Sequence, residues 1–457
     1  MNDRIFEKIM SAPSEALDKT VTQTEHLVKG VGDHNYIKRA RDYWVNLGPG
    51  LTTGAADDDP SGIATYSQTG ARFGFQLLWL SGFTFPLMAI VQEMCARIGL
   101  VTGRGLAGNI RMYFPRWVLL TCTILLCLAN TLNIGADLGA MAKATQLIFP
   151  TANFALVIII FTCVSLALQI FTSYERYAKY LKWLALILIS YIFTTLSIRN
   201  LNWFEVLRGT VIPSITFSKE QIILICGVLG TTISPYLFFW QTSQEVEEKI
   251  LDGKNTLKLR QSEVSPKEIS LMRSDVWSGM FLSNLVMFFI IAACAGTLHL
   301  SGITTINSAA EAAAALRPFA GDQAYLLFAL GIIGTGMLAV PVLAGASAYA
   351  LAESFRWKQG LYRKLKDANA FYGVIIFSTG IGLLINFSGL DSFKALLYSA
   401  VANGLIAPIV LILIVLISSN KKVMGERANH PAITFIGWLI VGLMTIAGLA
   451  SIYSIFT

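Results

Sequence analysis

From residue 44 onward the chain alternates long apolar windows with short polar ones. An α-helix rises 1.5 Å per residue, so about 20 apolar residues cross the roughly 30 Å hydrocarbon core of a bilayer. Windows of that length predict eleven transmembrane helices, over 44–70, 75–100, 117–143, 153–171, 178–198, 220–243, 275–298, 323–354, 370–387, 392–418 and 432–456. Residues 1–43 are polar and charged without an apolar h-region, so a cytosolic lead-in is expected in place of a cleaved signal.

Two windows are interrupted. The first contains "ADDDPSG" with Pro60 and Gly62, and the sixth contains "GTTISPY" with Gly230 and Pro235. Proline removes a backbone donor and clashes with the preceding turn, and the freed groups are tolerated at membrane depth only where protein or a water-filled cavity covers them. The interruptions lie five spans apart. That spacing predicts an inverted repeat of 5+5 helices, 44–198 and 220–418, joined by an extracellular connection at 199–219 and followed by an eleventh helix at 432–456.

The interruption gives Asp57, Asp58 and Asp59 a rationale. One ionised Asp near the centre of a spanning helix costs about 2.5 to 3.5 kcal/mol on insertion scales, so three facing lipid would offset much of the span's own hydrophobicity. Neighbours on an intact helix point 100° apart, but an unwound break frees them from that phase. Carboxylates and released carbonyls there make an oxygen-rich cation site. The other reading is that Asp57 and Asp58 solvate a vestibule or pair with a basic residue, and that Pro60 and Pro235 are simple kinks.

Composition agrees: 54% of residues are hydrophobic, 14% are charged, and mean hydropathy is +0.59, outside the range of soluble domains. Of the 35 Lys and Arg, 28 fall in segments on the side of the N-terminus. Basic loops stay in the cytoplasm, so the N-terminus is expected inside and the C-terminus outside, in a bacterial plasma membrane. The net charge of +7 then describes a surface facing the membrane and cytosol, and no nucleic-acid partner is implied. The six cysteines lack CxxC spacing and are expected to be small buried hydrophobes. None of the four histidines lies mid-span, which argues against a histidine-based metal or proton site.

"GPGLTTGAADDDPSGIATYSQTGARFGFQLLW" (48–79), "ARIGLVTGRGLA" (96–107), "GADLGAM" in the third span and "GTTISPYLFFWQ" (230–241) together resemble the NRAMP family of divalent-metal transporters. The resemblance implies a LeuT-type fold, a transporter and no enzymatic activity. It places Asp59 at the family's metal-binding aspartate, and the carbonyls of Ala56 and Thr231 at its backbone ligands. It also shows departures. The family's asparagine after the first proline is Gly62, its sixth-helix methionine is Ser234, the following histidine is Tyr236 and a further one is Gln241; in the third span Asp137 remains, while a glutamate is Ala140 and an upstream acid is Asn130.

Loss of a thioether and gain of carboxylates and hydroxyls shifts the site towards hard oxygen chemistry, suited to Mg²⁺, Ca²⁺ or Mn²⁺. The pattern is similar to the NRAMP-related magnesium transporters. Asp58 and Asp59, with Ser234, Thr231 and Thr232 around them, fit a partly hydrated ion. With Gln241, Tyr236 and Ala140 where a relay needs titratable groups, only Asp137 is left, so uptake without tight proton coupling is expected. The transported ion, Mg²⁺ or Mn²⁺, is cargo, and no resident cofactor is expected.

Remaining polar positions carry two readings each. Asn130, Asn133 and Asp137 share a helical face, either lining the path or bonding neighbouring helices. Asn403 either reaches the site or caps a helix irregularity before Pro408. Glu93 and Arg97 form an i, i+4 pair, and Glu245 to Asp275 reads as solvated cytosolic surface, with an inner-gate role as the alternative. A competing function uses the same fold: Asp58 and Asp59 hold Na⁺ while helix N-termini at Ser61, Gly62 and Tyr236 hold a small anion such as bicarbonate. The lipid bilayer and a small ion are the expected partners, and no oligomer is required.

Overall fold

A computed structural model describes residues 48–172, 189–198, 201–261, 264–306, 309–314, 321 and 323–456. The polar lead-in expected over 1–43 lies outside these residues. In chain order the helices are α1 (Pro49–Asp57), α2 (Pro60–Phe73), α3 (Trp79–Thr102), α4 (Leu106–Tyr113), α5 (Arg116–Ile148), α6 (Phe154–Phe171), α7 (Ile189–Leu196), α8 (Trp203–Val211), α9 (Lys219–Thr232), α10 (Pro235–Leu251), α11 (Leu257–Arg260), α12 (Pro266–Cys294), α13 (Ala309–Ala314), α14 (Gln323–Phe355), α15 (Asn369–Ile385), α16 (Ser392–Ser419), α17 (Lys421–Met424) and α18 (Pro431–Phe456).

Among the described residues eight helical stretches are long and apolar enough to cross a membrane, and α15 is a shorter apolar helix. They coincide with the expected windows. The first window is the pair α1 and α2, and of the fifth, 178–198, only the end lies within the described residues, as α7. The alanine-rich stretch at 309–316 is helical as α13, with residues 315 and 316 outside the described set.

Both interruptions are real breaks of two residues. Asp58 (φ −85°, ψ 47°) and the extended Asp59 (φ −63°, ψ 171°) separate α1 from α2. Ile233 (φ −108°, ψ 61°) and the extended Ser234 (φ −83°, ψ 131°) separate α9 from α10. In each case proline opens the second helix, where its missing N–H costs nothing, and pushes the residue before it out of helical geometry. α1 packs beside α10 and α2 beside α9, so the two broken spans run antiparallel, as an inverted repeat requires.

The broken spans lie inside. In its most apolar stretch α9–α10 is 83% buried, whereas α6 and α18 are 28% buried and form the periphery. Against the inner pair pack α3, α5, α12, α14 and α16. One close approach is between α1 and α12, where Gly50 and Gly54 meet the backbone of Val276 and Gly279 and leave no space for a Cβ. A second such contact joins Gly230 of α9 to Gly404 of α16. Small residues are the usual device for close helix contact in a bilayer, where apolar burial alone drives little association.

Three expectations change. The run from Glu245 to Asp275 is not wholly solvated surface: Glu245, Glu247, Lys249 and Asp275 are buried, because α10 continues inward and its acids find neutral donors. Cys163 is exposed on the outer face of α6, and Cys127 is half-buried, since those helices are peripheral or turned outward there. Asn403 caps nothing: α16 runs unbroken through it and through Pro408.

Candidate metal-ion site at the two helix breaks

The three aspartates are all buried, Asp57 and Asp58 completely, but they are held differently. Asp59 is the N-cap of α2. Its Oδ1 accepts from the Gly62 N–H (2.7 Å) and the Ser61 hydroxyl (2.5 Å), which satisfies donors a helix start leaves unpaired. Its Oδ2 accepts from Asn133 Nδ2 on α5 (2.7 Å), and the same amide nitrogen lies 3.3 Å from Asp137 Oδ2. Asp57 faces the opposite way, where the Ser283 hydroxyl of α12 donates to its Oδ2 (2.6 Å).

Asp58 has no such support. Neither of its carboxylate oxygens meets a donor in hydrogen-bond geometry; the Ser283 hydroxyl is near enough to act on Asp58, but its one proton is committed to Asp57, and Asp57 Oδ1 and Asp137 Oδ1 are also without a donor. Buried polar atoms are nearly always paired, and an ionised carboxylate buried without a partner is costly, so four bare acid oxygens around one break require an explanation. No Lys or Arg hydrogen-bonds or ion-pairs with these aspartates, so the pairing alternative drawn from sequence has no basis among the described residues.

The second break supplies oxygens and a dipole. The Ser234 hydroxyl donates back to the carbonyls of Gly230 and Thr231 (2.7 Å each), leaving the N-terminus of α10 without a side-chain cap. Uncapped N–H groups carry positive partial charge, which favours the nearby carboxylates. Tyr236 donates its hydroxyl to the carbonyl of Ala56 (2.8 Å), bridging the two breaks. Each of these carbonyls, Ala56 and Thr231, therefore holds one hydrogen bond and keeps a second lone pair. The Thr232 hydroxyl, bonded to Val228, lies 3.3 Å from Tyr66 OH and 3.7 Å from Met287 Sδ. Gly62 has no room for more: a Cβ there would lie 3.2 Å from the Asp57 carbonyl oxygen and 3.2 Å from Thr231 Oγ1.

Among the residues singled out from sequence, Asn130, Gln241 and Asn403 make no hydrogen bond to the aspartates. Asn130 donates to the Leu343 carbonyl and Ser347 hydroxyl of α14 (3.0 and 2.9 Å), which makes it an interhelical tie. Gln241 lies further along α10, accepting from Thr53 (2.5 Å) and donating to Glu245 (2.9 Å). Asn403 is buried with its Oδ1 unpartnered and makes no hydrogen bond to the aspartates.

Sequence reasoning missed Ser283, Tyr66, Met287 and Asp275. Asp275, on α12, accepts from the N–H groups of Gly48 (2.7 Å), Gly50 (2.6 Å) and Leu51 (3.2 Å), capping α1 across 225 residues of chain. An acid at the entrance of an apolar span is the only signal it offered. Glu93 is likewise more than an i, i+4 partner: besides Arg97 (3.7 Å) it receives Arg273 (2.8 Å) and Trp277 Nε1 (2.9 Å).

A cavity of about 250 Å³ reaches the first break from one end of the bundle, lined by Pro60, Ala64, Ala140, Lys143, Phe328 and Asp391 among others. Towards the other end, the Thr53–Gln241–Glu245 chain and the Asp275 cap tie α1 to α10 and α12. Among the described residues no three His, Cys, Asp or Glu side chains are gathered as a closed metal cage.

The model of the family described as natural resistance-associated macrophage protein-like, Nramp, matches residues 50–454. The chain belongs to the Nramp family. Among solved structures this Nramp-family protein is similar to the manganese transporter of Eremococcus coleocola in complex with an aromatic bis-isothiourea compound. The two are 19% identical with a TM-score of 0.68, over 92% of this chain and 88% of that one. Mhp1, a nucleobase-cation-symport-1 family transporter in a closed conformation with bromovinylhydantoin bound, is 16% identical with a TM-score of 0.56, over 89% and 90%. At these identities the likeness speaks for the fold, which is the LeuT type with the first and sixth helices broken.

Proposed function

We propose that this Nramp-family protein is a secondary transporter of a divalent metal cation, Mg²⁺ or Mn²⁺ carried partly hydrated, working by alternating access without tight proton coupling. The observation that carries the reading is Asp58: a fully buried carboxylate at the meeting of two broken helices, with both oxygens bare. A divalent cation offsets that charge. Asp58 and Asp59 serve as carboxylate ligands, with the carbonyls of Ala56 and Thr231 and the hydroxyl of Ser234 close by. Asp57, Ser61, Thr232, Tyr236 and Asp137 border the path.

The lack of a closed cage suits Mg²⁺, which retains several waters around one or two carboxylates. Hydroxyl, carboxylate and carbonyl donors are hard, and the thioether of Met287, 3.7 Å from Thr232 Oγ1, keeps a softer atom near the site, compatible with Mn²⁺. Against the alternative of a Na⁺-coupled anion, Asp59 already occupies the N-terminus of α2, one of the two helix starts where the anion would sit; the start of α10 at Tyr236 carries no side-chain cap, and a flux comparison separates the two readings. With the N-terminus cytoplasmic, the 250 Å³ cavity opens outward and the Asp275 and Gln241 ties close the inner side.

Flux into proteoliposomes tests this, with Mg²⁺, Mn²⁺, Ca²⁺ and a Na⁺/bicarbonate pair compared side by side and a pH-sensitive dye trapped inside. Divalent uptake driven by an inside-negative potential, abolished in Asp59→Ala and without matching acidification, is the expected result. Bicarbonate uptake that follows the Na⁺ gradient, or one proton entering with each ion, overturns it.

A further inference from the structure

A second cavity, about 590 Å³, is far along the chain from the aspartates and of opposite character. It opens between α4, the end of α10, the end of α14 and the segment 356–363. Six cations line it: Arg104, Arg111, Arg260, Arg356, Lys358 and Arg363. Basic residues in cytosolic segments are ordinary for a membrane protein, but there they are commonly splayed into solvent. Here they converge on one concavity.

The cavity contains two acids that should neutralise part of this charge, Glu247 and Glu353, yet both are engaged by neutral donors. Glu247 accepts from Tyr349 OH (2.7 Å) and the N–H groups of Leu361 (3.0 Å) and Tyr362 (3.3 Å). Glu353 caps α4 through Gly105 and Gly108 N–H (2.8 and 2.7 Å) and accepts from Gln359 (2.9 Å). Arg111, Arg260 and Arg363 point hydrogen bonds at backbone carbonyls. The side chains of Arg104, Arg356 and Lys358 make no hydrogen bond or ion pair among the described residues. The charges sense one another: burial and then Arg356 draw the Arg111 guanidinium below its usual basicity, Glu353 opposes this, and Arg104 adds to it. Ser243, 3% exposed on α10, lines the same cavity with its hydroxyl unpartnered, and the Arg111 Nε is buried without an acceptor.

We propose that this basin binds a phosphate-bearing anion, either a soluble polyphosphate or nucleotide or the headgroup of an anionic lipid. Its volume is that of a small-molecule pocket, guanidinium groups suit phosphate oxygens in bidentate geometry, and the unpartnered hydroxyl and Nε supply further donors. The site is separate from the transported ion, but Ser243, Val246, Glu247 and Ile250 place it on α10, whose other end forms the second break. An occupant therefore joins α10 to α4 and α14.

The test uses the full-length protein in nanodiscs of phosphatidylcholine or of phosphatidylglycerol, with sodium tripolyphosphate and metal-free ATP as probes in titration calorimetry. The variant Arg104→Gln/Arg356→Gln removes two charges that hold no internal bond, and Lys364→Gln/Lys366→Gln, whose side chains do not line the cavity, is the control. A monodisperse elution profile and an unchanged divalent-ion thermal shift establish that each variant is folded; Lys358→Gln is the fallback if the double variant is not. Saturable binding of one tripolyphosphate or ATP per chain in phosphatidylcholine discs, weakened about tenfold or more in the double variant and under twofold in the control, supports a soluble ligand. Binding that phosphatidylglycerol discs suppress in the parent, with phosphatidylglycerol enriched around the parent and not the double variant, supports the headgroup. Absence of both, or equal losses in variant and control, overturns the proposal.

Discussion

Asp58→Asn and Asp59→Ala are expected to act on stability in opposite directions while both abolish ion binding. Asp58 has no well-formed hydrogen bond to lose, since the Ser283 hydroxyl beside it donates to Asp57. An ionised Asp in a spanning helix costs about 2.5 to 3.5 kcal/mol, and since a buried acid without its cation escapes part of that cost by taking up a proton, the isosteric amide recovers at most about 2 kcal/mol in the ion-free protein. Asp59 receives three hydrogen bonds, from Ser61, Gly62 and Asn133. At about 1.5 to 3 kcal/mol for each bond to a charged group, and allowing for their shared geometry, Asp59→Ala costs about 4 kcal/mol. Binding adds a second axis, since an ion at 100 times its Kd stabilises the folded state by about 2.7 kcal/mol. Tryptophan fluorescence during heating of the detergent-solubilised protein, at one scan rate with and without MnCl₂ or MgCl₂, reads both. The ion-free midpoint should rise or hold in Asp58→Asn and fall in Asp59→Ala, with the ion-induced shift lost in each. An Asp58→Asn protein that keeps the full ion-induced shift and normal flux defeats the assignment. One whose ion-free midpoint falls as far as that of Asp59→Ala shows Asp58 to be structural.

Asp275→Ala removes the shared acceptor of three N–H groups at the start of α1 and should weaken the closure at that end of the bundle by about 3 kcal/mol; Thr53→Cys, read by a membrane-impermeant thiol reagent applied to that side, is expected to label at least about tenfold faster in that background. Gly54→Val drives a side chain into the backbone at Gly279 and should abolish the yield of monodisperse protein, whereas Gly380→Val, with nothing within 4 Å, should elute like the parent. Glu93→Gln loses the charge shared by Arg97 and Arg273; Arg273 is 55% exposed but Glu93 and Arg97 are only 11% and 10% exposed, so the fall in thermal midpoint should correspond to about 2 kcal/mol, and no measurable fall would show that the cluster contributes only as a surface pair does.

The positions of the spans and of both breaks were legible because hydrocarbon thickness imposes a length on apolar runs and proline imposes a local rupture, and neither depends on a partner. Asp59 was singled out as a metal ligand through the family resemblance, but its place as the N-cap of α2 emerged only in the structure. Less was legible wherever a side chain's role depends on which helix lies opposite. Asn130 and Asn133, three residues apart on one face of α5, have unrelated roles: one ties α5 to α14, the other orients Asp59. Gln241, placed by sequence on the substrate path, proves to be bonded to both Thr53 of α1 and Glu245 of α10, a tie that no spacing along α10 encodes. The acids of 245–275 looked solvated because charge density in a loop says nothing about backbone donors folded over it.

By itself the sequence determined that this chain spans a membrane as interrupted helices with acid at the first interruption, because those properties follow from local chain chemistry in a solvent that forbids unpaired backbone. Only the tertiary structure decided which oxygens stay bare. Ser283 from α12 claims Asp57, Asn133 from α5 claims Asp59, and Asp58 between them is left without a donor. That outcome is a matter of three-dimensional proximity between residues up to 226 positions apart, and no spacing along a single helix encodes it.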